Sequence, residues 1–177
     1  KDPNKAIISI VIAASVLTYG GVSLFVVVFA VYPFAAALFK EADYPKRLIP
    51  AIIALGAFTA TMDCLPGTPQ IQNIIPTAYF GTNLYAAPVA GLLGAAIIYI
   101  GGFFYLSRCL KSAIARGEGF GKHKLDEPEV NEELQLVPWF MACIPLLAVL
   151  VVNFLVTQFA AWNPAILDAF KEMKGVP

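Results

Sequence analysis

The sequence predicts an all-α integral membrane protein, a small bundle in which a helical hairpin and a broken helix stand beside two uninterrupted spans. Three observations carry this. Hydrophobic residues make up 59% of the chain and charged residues only 14%, against roughly 45–50% and about 25% in an ordinary soluble domain. The apolar residues gather into about four long stretches. Every charge except that of Asp63 falls in a terminus or between those stretches.

Composition also excludes. The formal net charge is zero, so no basic field points to nucleic acid and no acidic surface points to a basic partner. Cys64, Cys109 and Cys143 are scattered singly, without the even count of a disulfide framework or the paired spacing of a zinc site; they read as small apolar packers. The chain opens on Lys1-Asp2-Pro3-Asn4 without a signal-peptide pattern, and reads as an internal piece of something longer.

The first apolar stretch, residues 6–39, carries no charge. As one helix it would be about 51 Å long at about 1.5 Å per residue, whereas the hydrocarbon core of a bilayer is only about 30 Å thick. The adjacent Gly20 and Gly21 accept backbone angles closed to other residues and divide the stretch into two arms, a re-entrant hairpin that enters and leaves by one face. A single tilted helix, kinked at Pro33 and packed through its glycines, is the alternative. Residues 40–47 form a short charged loop.

Residues 48–80 read as a discontinuous transmembrane helix. Its apolar half stops at Pro66-Gly67, since proline lacks the amide hydrogen and clashes with the preceding turn. Thr68-Pro69 then reads as a new start, a threonine cap followed by proline at the first helical position. Residues 88–106 make an ordinary span, smoothed by Gly91, Gly94, Gly101 and Gly102 for close packing. Residues 107–136, basic and then acidic, read as a solvated loop. The last span is 137–161, with Trp139 and Trp162 near its ends and a kink expected at Pro145. A short surface helix over 164–174 follows, capped by Asn163-Pro164. With a hairpin at the start, Lys1, Lys5, the 40–47 loop and the 107–136 loop all fall on one face, which the positive-inside rule makes cytoplasmic.

Several apparent motifs carry no chemistry. Gly117-Glu118-Gly119-Phe120-Gly121-Lys122-His123 lacks the spacing and the hydroxyl residue of a phosphate loop. His123 is the sole histidine, so neither a catalytic triad nor a metal cluster can be assembled within the membrane. The chain does not read as an enzyme, and no cofactor is expected.

What remains is a site made of helix ends. Unwound backbone survives at membrane depth only where protein buries it or it lines a cavity. Helix N-termini there present unpaired N–H groups and partial positive charge. The breaks at Gly21-Val22-Ser23 and Gly67-Thr68-Pro69 would bring two such ends together without a lysine, which suits a carboxylate and matches secondary transporters built from broken helices. The candidate ligand-binding residues are Gly20, Gly21, Ser23, Gly67, Thr68, Gln70, Gln72 and Asn73, with Thr59 and Thr61 as further hydroxyls.

The runs Leu17-Thr-Tyr-Gly-Gly-Val-Ser-Leu-Phe-Val-Val-Val-Phe-Ala-Val-Tyr-Pro33, Ala54-Leu-Gly-Ala-Phe-Thr-Ala-Thr-Met-Asp-Cys-Leu-Pro-Gly-Thr-Pro-Gln-Ile-Gln-Asn-Ile-Ile-Pro76 and Tyr79-Phe-Gly-Thr82 resemble the gluconate permease (GntP) family. The likeness is dense over about residues 15–106 and looser beyond. It implies a bacterial inner-membrane symporter of gluconate or a related hydroxy-carboxylate, with the proton as coupling ion. It also implies a superfamily fold of inverted repeats with re-entrant hairpins. Cys64 departs from the small or apolar residue expected there. Such permeases are more than twice this long, so the chain would supply about half of an inverted-repeat pair, the other half being a necessary partner, with a homo-oligomer as a further possibility.

Asp63 has two readings. It takes up and releases the coupled proton, as costly intramembrane acids commonly do, or it caps loose N–H groups in the break and stays ionised. A carboxylate beside a bound anion repels it by about 4 kcal/mol at about 4 Å and an effective dielectric of about 20, which would enforce coupling. A non-transporting membrane subunit is the alternative to transport.

Overall fold

The computed structural model describes residues 2–121 and, beyond them, positions 147, 148, 151, 152 and 155. The chain divides into two units, Lys1–Leu136 and Val137–Pro177. In the second, the five described positions are helical; the rest of the expected span 137–161, the expected surface helix 164–174, Cys143 and His123 lie outside the described residues.

In the first unit all regular structure among the described residues is helical. Helix α1 (Pro3–Tyr19) starts on an Asp2 cap that accepts from the Asn4 amide at 3.0 Å, with Pro3 in its first turn. Its buried residues Ala6, Ile7, Ile10, Ala14 and Thr18 recur every three or four positions, one stripe of the cylinder. The helix ends at the glycine pair. Gly21 sits at φ 90°, where side chains are disfavoured, and the Gly21 and Val22 amides return to the Thr18 and Leu17 carbonyls, each at 3.1 Å. This is a Schellman closure, and it turns the chain back into α2 (Leu24–Ala42), which packs on α1. Residues 6–39 are therefore two helices. Pro33 lies inside α2.

A 3-10 turn (Lys46–Leu48) leads into α3 (Ile49–Ala57), whose Ile49, Ile52 and Ile53 are almost wholly buried against the α1 stripe. Contact is closest at Gly56, where an added Cβ would lie 2.7 Å from the Ala14 Cβ and 2.7 Å from the Val11 carbonyl oxygen. The core thus sits among α1, α2 and α3.

The segment 48–80 is interrupted twice, not once. Helix α3 stops at Phe58; Thr59 Oγ1 donates to the Leu55 carbonyl at 2.6 Å, and Thr61 Oγ1 to those of Gly56 (2.9 Å) and Ala57 (3.2 Å). These hydroxyls take the place of the next turn's amides, so the last carbonyls are bonded although the helix has ended. A single turn, α4 (Ala60–Asp63), follows, and α5 (Ile71–Phe80) begins only after the irregular stretch 64–70. Among α5's residues none is buried.

Helix α6 (Pro88–Ala115) is longer than the sequence suggests: residues 107–115, expected to be loop, continue it. Leu106, Leu110 and Ala113 are buried while Arg108, Lys111 and Ser112 are exposed, an amphipathic turn pattern that holds the helix on the bundle past its apolar run. Helices α2 and α6, with mean hydropathy of 1.8 and 2.0, are each long and apolar enough to cross a membrane.

The charged segments meet at one end of this unit. Asp2, Lys5, Glu41 and Tyr44 line one shallow cleft. Arg47 donates to Glu118 through Nε at 2.7 Å and Nη2 at 3.1 Å, and Asp43 Oδ1 accepts from the Phe120 amide at 2.9 Å.

A candidate ligand site at the junction of two helix breaks

Gln70 joins the two interruptions. It is the N-cap of α5, without a side-chain bond of its own to the helix. Its Nε2 instead donates to the Thr18 carbonyl at 2.8 Å and to the Val22 carbonyl at 3.2 Å, the two ends of the α1–α2 turn. Gln70 is 7% exposed; its bond to Thr18 is buried and that to Val22 half-buried, and leaving a buried carbonyl unpaired is costly. A second tie runs from Tyr19, whose hydroxyl donates to the Pro66 carbonyl at 2.8 Å. Val22 directly precedes Ser23, the N-cap of α2. The N-terminal end of α5 is thereby tied to the turn that leads into α2, and each of these two helices has first-turn amides with no acceptor inside its own helix.

The break at 64–70 is held in shape by further internal bonds. Gly67 lies at φ 79° and its amide donates to the Leu84 carbonyl at 2.8 Å. A Cβ there would come within 2.5 Å of the Tyr85 ring, so both conformation and space call for glycine. Thr68 is fully buried and its hydroxyl donates to the Thr61 carbonyl. Asn73 Nδ2 donates to the Thr68 carbonyl at 2.9 Å and the Leu84 carbonyl at 3.3 Å. On the far side, Gly91 of α6 lies so close to the Cys64 carbonyl that no Cβ fits.

The structure therefore sorts the residues singled out from sequence into two groups. Gly20, Gly67, Thr68 and Gln70 are buried, and the donors of Thr68, Gln70 and the half-buried Asn73 are committed to backbone carbonyls, tying the junction together. Thr68 does not cap α5: its hydroxyl turns back to α4, and the helix begins three residues later. Gly21, Ser23, Gln72 and Asp63 are exposed. Asp63 closes α4 and lies beside the Cys64 thiol. Cys64 and Cys109 are free and half-buried.

Sequence reasoning passed over Tyr19, Tyr85 and Thr18. The Thr18 hydroxyl is buried and has no hydrogen-bond partner among the described residues, next to the carbonyl that Gln70 engages. No local pattern marks these residues; they belong to the junction only because the chain brings positions 18–22 and 66–70 together.

The chain is 50% identical over 170 residues to the uncharacterized transporter YxjC of Bacillus subtilis strain 168. The alignment takes in 91% of this chain and 36% of that protein, so the chain spans about a third of the length of the curated relative it matches. No family model matches the chain, and no solved structure matches it significantly. Among the described residues no group of His, Cys, Asp and Glu is placed to hold a metal ion.

Proposed function

We propose that this chain is part of a membrane transporter for a small hydroxy-carboxylate of the gluconate type, as the resemblance to the gluconate permease family implies, coupled to protons. The observation that supports the reading is the pair of bonds from Gln70 to the Thr18 and Val22 carbonyls, which ties the N-terminal end of α5 to the turn that leads into the N-terminal end of α2. Two such ends offer N–H donors and partial positive charge to an anion without a lysine. The 50% identity to a protein named as a transporter supports the transport class.

In this reading the amides after Ser23 and Gln70 hold the carboxylate, and Ser23 and Gln72, with Asn73 through its Oδ1 alone because its Nδ2 is spent on backbone carbonyls, meet the substrate's hydroxyls. Gly20, Gly21, Gly67 and Thr68 shape the backbone that presents them. Asp63, exposed at the end of α4, takes and releases the coupled proton; ionised, it repels the substrate, and protonated, it does not. The turn at Gly20–Ser23 is then the tip of a re-entrant hairpin. The charged end carrying Lys40, Arg47 and Arg108 faces the cytoplasm in a bacterial inner membrane. The exposed apolar side of α5, with Ile71, Ile75 and Tyr79, is covered by the remaining half of the transporter, and no resident cofactor takes part.

The test is uptake of radiolabelled gluconate and other small hydroxy-carboxylates into proteoliposomes by the full-length transporter. Asp63→Asn is expected to abolish accumulation driven by a proton gradient and to spare exchange of internal for external substrate. Unchanged accumulation would remove Asp63 from coupling. Absence of exchange with every hydroxy-carboxylate, in a preparation that still folds, would remove the substrate class.

A further inference from the structure

A wide recess lies at the charged end, away from the junction of the two breaks. It is a groove of about 800 Å³ between the 3-10 turn and α3 on one side and the last turns of α6 on the other. Its walls carry Arg47, Arg108, Lys111 and Arg116. One carboxylate stands with them: Glu118 pairs with Arg47 at 2.7 Å and with Arg116 at 3.2 Å. Arg108 and Lys111 make no ion pair with any described residue. The remaining wall is apolar, with Ala51, Leu48, Tyr105 and Leu106.

The position of these groups along α6 gives the groove a depth. The apolar run 88–106 is about 28 Å long as a helix, close to the roughly 30 Å of a hydrocarbon core. Arg108 and Lys111 follow it by about 3 Å and about 8 Å of helix rise, and a headgroup layer is roughly 5–8 Å thick on each side. Tyr105, 69% exposed, sits at the boundary, where amphipathic rings collect. Tyr105, Arg108, Ser112 and Arg116 follow one another at three- and four-residue spacing and so share one face of α6. Cations above, an aromatic ring at the boundary and apolar wall below repeat the order of a phosphate, a glycerol backbone and an acyl chain.

We propose that this groove binds an anionic phospholipid, its phosphate held by Arg108 and Lys111 and the start of its acyl chains lying along Tyr105 and Ala51. The assignment rests on reading the chain as membrane-spanning. A free phosphate would share the polar contacts but not the apolar wall, which is why the lipid is favoured over the bare anion.

The experiment uses the whole chain, delipidated in detergent and titrated with phosphatidylglycerol or phosphatidylcholine while bound lipid is counted by native mass spectrometry. The wild type is expected to retain phosphatidylglycerol in preference to phosphatidylcholine. Arg108→Gln/Lys111→Gln should weaken phosphatidylglycerol roughly 30-fold, at about fivefold per interfacial cation, with an unchanged helical circular dichroism spectrum. Arg108→Lys/Lys111→Arg should retain it. Equal retention by the Gln pair and the wild type overturns the proposal. Displacement by millimolar inorganic phosphate as readily as by phosphatidylglycerol assigns the groove to a free anion and overturns the lipid. Retention that appears only after Asp126, Glu127, Glu129, Glu132 and Glu133 are neutralised gives the groove to the chain's own acidic run, with the same result. Carbonate extraction of membranes carrying the same variants keeps the two readings apart. A chain released by carbonate defeats the membrane assignment itself, whereas a resistant chain with no lipid preference defeats the groove alone.

Discussion

Two regions of the first unit do the same mechanical work with opposite chemistry. At the junction, the turn at 18–23 and the break at 64–70 are fastened by neutral donors: the Gln70 amide, the Tyr19 hydroxyl and the Thr68 hydroxyl, all given to backbone carbonyls. At the charged end, the 43–47 segment and the turn after α6 are fastened by Arg47 on Glu118, by Asp43 on the Phe120 amide and by Lys46 over the Phe120 ring at 5.1 Å. The difference follows from solvation. A charge at the buried junction would lose its hydration without full repayment, whereas an amide loses less and gains bonds that water does not contest. Exposed ions keep their hydration, and their pairing is correspondingly weak. The neutral ties should therefore dominate stability and ignore salt, and the ionic ties should do the reverse.

The largest effect is expected where the junction is broken by shape. Gly67→Ala must hold a side chain at φ 79°, costing about 1–2 kcal/mol, and must displace the Tyr85 ring, costing about 1–3 kcal/mol more. Unfolding in detergent by denaturant titration measures the sum. Combining it with Tyr85→Leu should recover the steric part and leave the conformational part, so strict additivity of the two changes would show that the ring is not the obstacle.

Gln70→Leu comes next. It keeps the volume and removes both bonds, leaving the Val22 carbonyl without its donor while the Thr18 carbonyl still accepts from Gly21. About 2–4 kcal/mol should be lost, equally at low and high salt. A variant as stable as the wild type would mean that Gln70 is not what fastens the breaks. A smaller neutral tie offers a graded check within the core. Ser15 Oγ bonds the Gly56 carbonyl at 3.1 Å and lies 2.9 Å from the Tyr99 hydroxyl, linking α1, α3 and α6. Ser15→Ala and Tyr99→Phe should each cost about 1 kcal/mol, and the double variant should cost less than the sum because the two share one bond; full additivity would deny the link.

These ties also show what the sequence made legible. The turn after Tyr19 could be placed because two adjacent glycines interrupt an apolar run too long for one span. The interruption at Phe58–Thr59 could not, because there the Thr59 and Thr61 hydroxyls capture the last carbonyls of the preceding helix α3, and threonine also occurs in helices that do not break. Thr68-Pro69 has the local form of a helix start, yet the hydroxyl goes to Thr61 and α5 waits for Gln70, a decision made by packing. Gln70 itself carries no cap signature, and its bond to Thr18 spans 52 positions, beyond any local pattern. The helical extension 107–115 was hidden by its charges, although Leu106, Leu110 and Ala113 already carried the helical period. Gln70 and Thr68 stand out in the sequence as polar residues at a break, but that their donors go to backbone carbonyls rather than to a ligand is set by packing and has no local sign.

The smallest effect belongs to the ionic tie, and it has a sign that the neutral ones lack. The hydrogen bond from Arg47, reinforced by its charge and that of Arg116, holds the Glu118 carboxyl below its ordinary value of 4.5. A carboxyl depressed in the folded state contributes stability that is fully present above the unfolded value and is lost as the pH falls through the folded one. With the Arg47 and Glu118 side chains 58% and 34% exposed, solvent and salt screen most of that contribution. Glu118→Gln should therefore change stability only slightly at neutral pH and low salt. The difference from wild type should vanish at high salt, and also at acid pH once Glu118 is protonated in both states. Denaturant titrations at two salt concentrations and across the acid range check this. A Glu118→Gln effect that persists at high salt, as large as that of Gln70→Leu, would erase the distinction between the two ends of the molecule.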